Sequence, residues 1–227
     1  TASALALDRF PDHNMFFRTV PSDSMMAEAM ARAIDQTGRA RVGILYIDDA
    51  YGRPYAAALE GSLQSRSLSV ALSLPFQQDD TDWDDEMAEL VSAGAEVVAV
   101  IGDALTGPDV VLAVLGSDLD ESTPIFFNDA MRGRATMGAF VGLSEDDLDR
   151  ITGVGQRVIP DLAFLDQLHL HDPDAPTYFA TNAFDCVNLI ALSAEVAGST
   201  NADQIAPRMQ STSTGGTSCS TFADCDD

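Results

Sequence analysis

Two carboxylates and a tyrosine directly follow an apolar run near residue 50. Residues 42–47 are Val-Gly-Ile-Leu-Tyr-Ile, and residues 48–53 are Asp-Asp-Ala-Tyr-Gly-Arg. The apolar run predicts a parallel strand that is buried on both faces and meets solvent at its carboxyl end. An aromatic ring there can cover the apolar part of a small ligand while its hydroxyl contacts a polar group. The alternative is that Tyr51 only covers the end of the sheet, and its position in the sequence does not decide between the two.

A second candidate for ligand chemistry is Asp129, which follows another apolar run. Residues 124–127 are Pro-Ile-Phe-Phe, and Asn128 and Asp129 come next. A carboxylate at the end of a buried strand has a high desolvation cost unless it finds a cation, so Asp129 is suited to bind a cationic group. The alternative is that Asp129 caps the helix that follows.

Strand and helix signals alternate from residue 16 to about residue 160. Strands are predicted at residues 15–19, 42–47, 69–74, 97–101 and 124–127, with helical patterns such as 82–93 between them. Strands separated by helices pair in parallel through right-handed crossovers, which predicts an α/β fold with an open, mainly parallel sheet sandwiched by helices. Ligands of such sheets bind outside the carboxyl ends of the strands. The segments of interest are therefore 48–51, 102–104 and 128–131.

The most acidic segment, residues 79–86, resembles a calcium-binding loop only superficially. It lacks the spaced ligands and the central glycine of an EF-hand. A helix that is capped by Thr81 and carries carboxylates in its first turn explains the run better, because the helix dipole favours negative charge there. His169 and His171 alternate in an Asp- and Pro-rich stretch and are interpreted as part of a solvated loop, so no metal site is predicted.

The regular alternation ends near residue 153. An Asp-rich loop with three prolines comes first, followed by a long helix predicted over 177–197 and a shorter one over 202–210. A tail rich in Ser, Thr and Gly closes the sequence. This part of the chain is too short to close a second sheet by itself.

The three cysteines fall into two groups. Cys219 and Cys225 flank five residues in the polar tail, where a disulfide would staple a segment with little apolar burial of its own. Zinc is the competing interpretation, but the three histidines show no ligand spacing that connects to this pair. A disulfide favours an oxidising compartment. Cys186 lies among apolar residues and is predicted to be a small buried side chain.

Composition excludes several classes of function. There are 36 acidic and 12 basic side chains, the basic ones all arginine, and the formal charge is −24. This charge excludes nucleic-acid binding through a basic surface. No apolar stretch has the roughly 18 to 20 residues of a membrane span. The sequence also contains no glycine-rich nucleotide loop and no nucleophile elbow, which disfavours a nucleotide enzyme or a serine hydrolase.

Several stretches resemble one family when they are taken in order. They are residues 16–23 (Phe-Phe-Arg-Thr-Val-Pro-Ser-Asp), 42–52, 94–98, 177–185 and 215–225. The ordered set spans nearly the whole chain and is similar to the extracytoplasmic ligand-binding protein of branched-chain amino acid ABC transporters, which has the type I periplasmic binding fold.

The resemblance implies two α/β lobes that are joined by crossing segments and trap the ligand between them. Residues 1–15 then correspond to the end of the first lobe and a crossing segment, and residues 16–153 to the second lobe. Residues 154–227 return to an incomplete first lobe that carries the cysteine tail. The comparison also implies truncation, with opening βα units of the first lobe before Thr1 and a possible shortening at the C-terminus.

The resemblance also implies a set of ligand contacts. Thr1 and Ser3 resemble the Ser/Thr-rich segment that contacts the ligand carboxylate, and Tyr51 resembles the aromatic residue that closes over the ligand. Asp129 falls where the partner of the ligand ammonium is expected. Asp103 or Ala104 occupies another loop that faces the pocket. The sequence departs from the family at Phe184, where relatives commonly have tyrosine.

The implied function is that of a solute receptor in a bacterium, located in the periplasm or anchored at the cell surface as a lipoprotein. It would capture a small amino acid, branched-chain or related, and deliver it to an ABC transporter permease, without enzymatic activity and without a cofactor. One alternative is a ligand-sensing ectodomain of a signalling receptor with the same fold. Another is a small hydrolase or lyase, although no assembled nucleophile and base support it.

Overall fold

Two compact units make up the chain, and the computed structural model describes residues 2–157, 160–216 and 219–225. The terminal unit consists of Thr1–Ser3, Leu7–Pro21 and Arg157–Asp227, and the sheet unit of Ala4–Ala6 and Ser22–Gln156. The assignment of these units to the lobes of a larger architecture stays a prediction.

The predicted α/β fold with an open parallel sheet is confirmed in the sheet unit. Five strands lie in the order β2-β1-β3-β4-β5, and every neighbouring pair is parallel. They are β1 (Arg41–Ile47), β2 (Ser69–Phe76), β3 (Val97–Ile101), β4 (Ile125–Phe127) and β5 (Ile151–Gly153). The four strands predicted between residues 42 and 127 are all present, and their ends agree with the prediction to within two residues.

One predicted strand was wrong, and one strand of the sheet was not predicted. Residues 15–19 form no strand, and they lie in the terminal unit, whose described residues contain no strand for them to pair with. Conversely, β5 was not predicted, because Ile-Thr-Gly is too short to show a period of its own. Tertiary pairing with β4 places it in the sheet, where Ile151 is the register partner of Ile125.

Helices cover both faces of the sheet. They are α1 (Asp23–Asp35), α2 (Gly52–Ser65), α3 (Asp84–Ala93), α4 (Gly107–Gly116), α5 (Arg134–Ala139) and α6 (Glu145–Asp149). The central strand β3 is buried along its whole length. Val97, Ala99 and Ile101 pack in the same core cluster as α1 and α2, whereas Val98 and Val100 pack in the cluster that contains α3 and α4. This alternation makes an unbroken apolar run compatible with a strand.

The acidic run around residue 80 begins a helix, but Thr81 is not its cap. The α3 helix begins at Asp84, and the carboxylate of Asp82 accepts a hydrogen bond from the Asp84 backbone N–H at 3.1 Å. Three carboxylates occupy the first turn, where they complement the helix dipole. Within the described ranges, no group of three or more His, Cys, Asp or Glu side chains could hold a metal ion.

The described part of the terminal unit is helical. It contains α7 (Leu162–His171), α8 (Ala180–Ala197), α9 (Ala202–Thr212) and α10 (Phe222–Cys225). A 3-10 helix near the start of the chain, Leu5–Arg9, includes residues assigned to both units. The interpretation of the two histidines as a loop was wrong, because both lie in the last turn of α7, which Asp161 caps by accepting from the Phe164 N–H at 2.7 Å. None of the described helices is long and apolar enough to cross a membrane.

The predicted disulfide is confirmed. Cys219 and Cys225 are bonded to each other, with Cα atoms 5.2 Å apart. Cys186 is a free thiol and is only half-buried, which corrects the prediction that it is fully buried. It lines a small cavity with the apolar side chains of Phe17 and Ile190.

Close packing at the start of α2 predicts that Gly52 tolerates no side chain. A Cβ atom there would lie 2.0 Å from the carbonyl oxygen of Ile47, which is backbone and cannot rotate away. We expect Gly52→Ala to destabilise the sheet unit by about 2 kcal/mol, measured by urea unfolding. Gly61 lies in the same helix with open space around it, so Gly61→Ala should stabilise by about 0.5 to 1 kcal/mol. Equal unfolding midpoints for the two variants would contradict this packing.

The disulfide predicts how many cysteine thiols react with a thiol reagent before and after reduction. The unfolded, unreduced chain should react with a thiol reagent at Cys186 alone, and reduction should expose Cys219 and Cys225 as well. A Cys186→Ala variant serves as the control and should show no reactive thiol before reduction. If the unreduced wild-type chain exposes every cysteine, the pair is not oxidised in the isolated protein.

Candidate functional site

The carboxyl edge of the parallel sheet is where the polar residues of the sheet unit meet. Parallel pairing aligns the strand ends, with Tyr46 of β1 opposite Ile101 of β3, and Val100 of β3 opposite Phe127 of β4. The residues that follow β1, β3 and β4 therefore lie side by side at one edge. This is the edge at which open α/β sheets bind ligands.

Asn128 connects three of these strand ends. Its side chain is fully buried, and its Oδ1 accepts a hydrogen bond from the Gly102 N–H at 2.9 Å. Its Nδ2 donates to the carbonyl of the same glycine at 3.0 Å and to the hydroxyl oxygen of Tyr51 at 2.8 Å. Gly102 has no room for a side chain, because a Cβ atom would lie 2.9 Å from the Cα of Gly107. Sequence reasoning included Asn128 in the segment of interest 128–131, but no pattern in the sequence marks its role.

Tyr51 lies in the turn between β1 and α2, partly buried, with its ring centroid 5.9 Å from that of Tyr55. Burial raises the pKa of the Tyr51 hydroxyl far above its ordinary value, and the nearby carboxylates of Asp23 and Asp129 raise it further. The hydroxyl therefore stays protonated at any physiological pH. Asp23, which opens α1 and is 1% exposed, is a member of this edge that sequence reasoning missed.

The two carboxylates before Tyr51 shape the turn. Asp49 accepts hydrogen bonds from the backbone N–H groups of Tyr51 at 2.8 Å and Gly52 at 2.7 Å. Asp48 pairs with Arg53 and accepts from the Gln77 amide at 3.1 Å. The hydrogen bond from Arg53, followed by that from Gln77, lowers the pKa of Asp48. Both acids are thus engaged in holding the loop.

Asp129 lies in a cavity of about 550 Å³ beside β4 and β5. The residue is 8% exposed and begins a one-turn 3-10 helix, Asp129–Met131. The N-cap position of α5 is Gly133, so Asp129 does not occupy the capping position of that helix. Arg132 and Arg134 line the same cavity, which therefore presents both signs of charge to whatever enters it. Sequence reasoning did not identify these two arginines.

Asp103 and Ala104 follow β3 at the same edge. The Oδ1 of Asp103 accepts from the backbone N–H groups of Leu105 at 2.9 Å and Thr106 at 2.8 Å, and its Oδ2 accepts from Gln78 at 3.1 Å. The carboxylate thus holds the loop that leads into α4. Neither Asp103 nor Ala104 lines the cavity around Asp129, and their role as ligand contacts stays a prediction.

The remaining predicted contacts belong to the terminal unit. Thr1 lies outside the described residues. Ser3 is half-buried, and its backbone carbonyl accepts from the Arg18 guanidinium at 3.4 Å, while the carbonyl of Ala2 accepts from the same group at 3.3 Å. Arg18 also forms an ion pair with Asp8, so one side chain connects three points of the segment 2–18.

The chain just before α1 is tied to α8 within the terminal unit. Thr19 donates its hydroxyl to the carbonyl of Asn182 at 2.7 Å, and the Asn182 side chain donates to the carbonyl of Thr19 at 2.6 Å. Phe184 packs edge-on against Phe164 with ring centroids 5.5 Å apart.

Solved structures share the fold of this chain at low sequence identity. A leucine-binding protein, LivK, from Thermotoga maritima is 15% identical with a TM-score of 0.69, over 87% of this chain and 57% of the other. A putative branched-chain amino acid ABC transporter protein from Silicibacter pomeroyi is 14% identical with a TM-score of 0.73, over 92% and 58%. A solute-binding protein from R. palustris in complex with benzoate is 13% identical with a TM-score of 0.63, over 85% and 54%.

These similarities establish the type I periplasmic binding fold, and the chain spans less than three fifths of the length of each of the three structures. No curated protein sequence matches the chain. The family model described as "Receptor family ligand binding region" matches residues 1–226. The chain, with its open parallel sheet and its polar carboxyl edge, belongs to that family of receptor ligand-binding regions.

Proposed function

We propose that this protein is an extracytoplasmic solute-binding protein that captures a small amino acid, branched-chain or related. The observation that carries the proposal is the buried Asp129 carboxylate in a cavity of about 550 Å³, next to Tyr51 at the carboxyl edge of the sheet. This volume falls within the range of small-molecule sites. The negative charge that Asp129 brings to this cavity is complementary to the ammonium group of an amino acid.

The other expected contacts complete a binding mode for a zwitterion. Tyr51 covers the apolar part of the ligand. Thr1 and Ser3 bind its carboxylate, and Asp103 or Ala104 contributes from the loop after β3. In this proposal residues 16–153 belong to the second lobe, residues 1–15 to the end of the first lobe and a crossing segment, and residues 154–227 to an incomplete first lobe, and binding shifts a population from open to closed.

The proposed partner is an ABC transporter permease, and the proposed location is outside the cytoplasm of a bacterium, in the periplasm or at the cell surface as a lipoprotein. The disulfide between Cys219 and Cys225 supports an oxidising compartment. Solved relatives with this fold include transporter proteins for leucine and other solutes, which supports binding and delivery rather than catalysis.

A ligand-sensing ectodomain is the second candidate, because the matching family model describes receptor ligand-binding regions. Uptake of the radiolabelled ligand by cells separates the two. Loss of the gene should abolish high-affinity uptake if the protein serves a permease, and should leave uptake intact if it serves a sensor.

The binding role of Asp129 predicts that neutralising it removes amino acid binding. We expect leucine, isoleucine or valine to stabilise the protein, by about 2.7 kcal/mol at one hundred times the dissociation constant. Asp129→Asn should weaken binding at least about tenfold, because the ligand ammonium loses its charged partner. Urea unfolding with and without ligand measures the stabilisation, and isothermal titration calorimetry measures the affinity. Asp146→Asn removes the same charge at an exposed site and should leave affinity unchanged.

For an anionic ligand without an ammonium group, Asp129→Asn should change the binding affinity in the opposite direction. The Asp129 carboxylate repels benzoate, so Asp129→Asn should strengthen benzoate binding while it weakens leucine binding. If the wild-type protein binds benzoate and no amino acid, or if no ligand in an amino acid panel changes its melting temperature, the proposed substrate class is wrong.

A further inference from the structure

The orientation of the Asn128 amide is determined by its neighbours. A backbone N–H can only donate and a carbonyl can only accept, and Asn128 makes one hydrogen bond of each kind with Gly102. The amide oxygen must therefore face the Gly102 N–H, and the amide nitrogen must face the Gly102 carbonyl. The reversed amide would place two donors together and two acceptors together.

This orientation determines how Tyr51 bonds. The group of Asn128 that lies 2.8 Å from the Tyr51 hydroxyl is the amide nitrogen, which is only a donor. The phenolic oxygen of Tyr51 must therefore accept, and its own hydrogen points away from Asn128. Because burial and the nearby carboxylates raise the pKa of Tyr51, that hydrogen is retained.

We propose that Asn128 is a positioning residue that makes Tyr51 an obligatory hydrogen-bond donor toward the ligand. Asn128 is fully buried and acts through Tyr51. The group of the ligand that meets Tyr51 is then an acceptor, a carboxylate or carbonyl oxygen, and a group that can only donate is rejected there. The ligand part of this inference rests on the proposed function, whereas the hydrogen-bond polarity of Tyr51 does not.

A second consequence concerns how the site discriminates among ligands. With Asp129 accepting from a cationic group and Tyr51 donating to an acceptor, the edge of the sheet offers one contact of each kind. Both residues lie beside Asn128, which precedes Asp129 in the chain and donates to the Tyr51 hydroxyl. An amino acid satisfies both contacts. An amine that lacks an acceptor leaves the Tyr51 hydrogen without a partner, which carries a penalty in a buried site.

Asn128→Asp tests the polarity of Tyr51 with almost no change in volume. A carboxylate only accepts, so the Tyr51 hydroxyl should turn and donate to it. The tyrosine Fermi doublet in the ultraviolet resonance Raman spectrum distinguishes an accepting oxygen from a donating hydroxyl. The chain has four tyrosines, so the Tyr51 signal is obtained by subtracting the spectrum of Tyr51→Phe. We expect an acceptor signature in the wild type and a donor signature in Asn128→Asp.

The same spectrum in both proteins would overturn the inference. If Asn128→Asp does not fold, as judged by circular dichroism, Asn128→Ala replaces it, and the acceptor signature of Tyr51 should then be lost. An unchanged signature in Asn128→Ala overturns the inference equally. Asn201→Asp is the matched control, because Asn201 is an exposed helix cap, aspartate caps equally well, and the added charge is the same.

Binding measurements separate positioning from simple support of the fold. In the wild type, Tyr51→Phe should weaken leucine binding about tenfold, the effect of a lost hydrogen bond to a charged group. In an Asn128→Asp background, Tyr51→Phe should change affinity little, since the hydroxyl is already diverted from the ligand. Equal losses in both backgrounds would mean that Asn128 supports only the fold.

The two proposals fail in different ways. If no amino acid binds to the wild-type protein, the proposed function is wrong, and the Raman comparison still decides the polarity of Tyr51. If leucine binds and Asp129→Asn abolishes it while the effect of Tyr51→Phe is the same in both backgrounds, the proposed function stands and the role of Asn128 is overturned.

Discussion

The parallel pairing of β1, β3 and β4 is the constraint on which the sheet unit depends. Because both faces of β3 are covered by helices, all of its side chains are apolar, and polar chemistry is excluded from the body of this central strand. Polar groups follow where β3 ends, and parallel pairing brings the ends of β1, β3 and β4 to one edge. The position of the candidate site is thus a consequence of how the core is built.

The same edge must satisfy the backbone groups that the strands leave unpaired. Short side chains do this, with Asp49 accepting from a backbone N–H group in the turn after β1, and Asp103 and Asn128 accepting from backbone N–H groups in the loop after β3. Most polar residues of the edge are therefore structural. Tyr51 and Asp129 differ from them. Tyr51 keeps a protonated hydroxyl that accepts from Asn128, and Asp129 is a nearly buried carboxylate in a cavity that two arginines also line. The large acidic surplus of the chain is a property of its surface, and few of those acids belong to the site.

Prediction from sequence succeeded where local pattern and tertiary environment agree. The strand 97–101 was located correctly because a run of five consecutive apolar residues between helical patterns is typical of a buried strand. It failed where pairing partners decide the outcome. Residues 15–19 have strand-like composition but no strand to pair with among the described residues of their unit, and β5 has almost no pattern but an available neighbour in β4. The interpretation of the two α7 histidines as part of a loop was wrong for a related reason, because the Asp and Pro residues around them are typical of loops.

The sequence by itself determined the fold class, the disulfide pair and the candidates Tyr51 and Asp129, because strand ends, cysteine spacing and isolated carboxylates are local features. Only the tertiary structure decided that Asp48, Asp49 and Asp103 hold loops, that Arg132 and Arg134 share the cavity of Asp129, and that Asn128 connects Gly102 to Tyr51. The physical reason is that a hydrogen bond between residues 77 positions apart depends on register and packing, which no local pattern encodes.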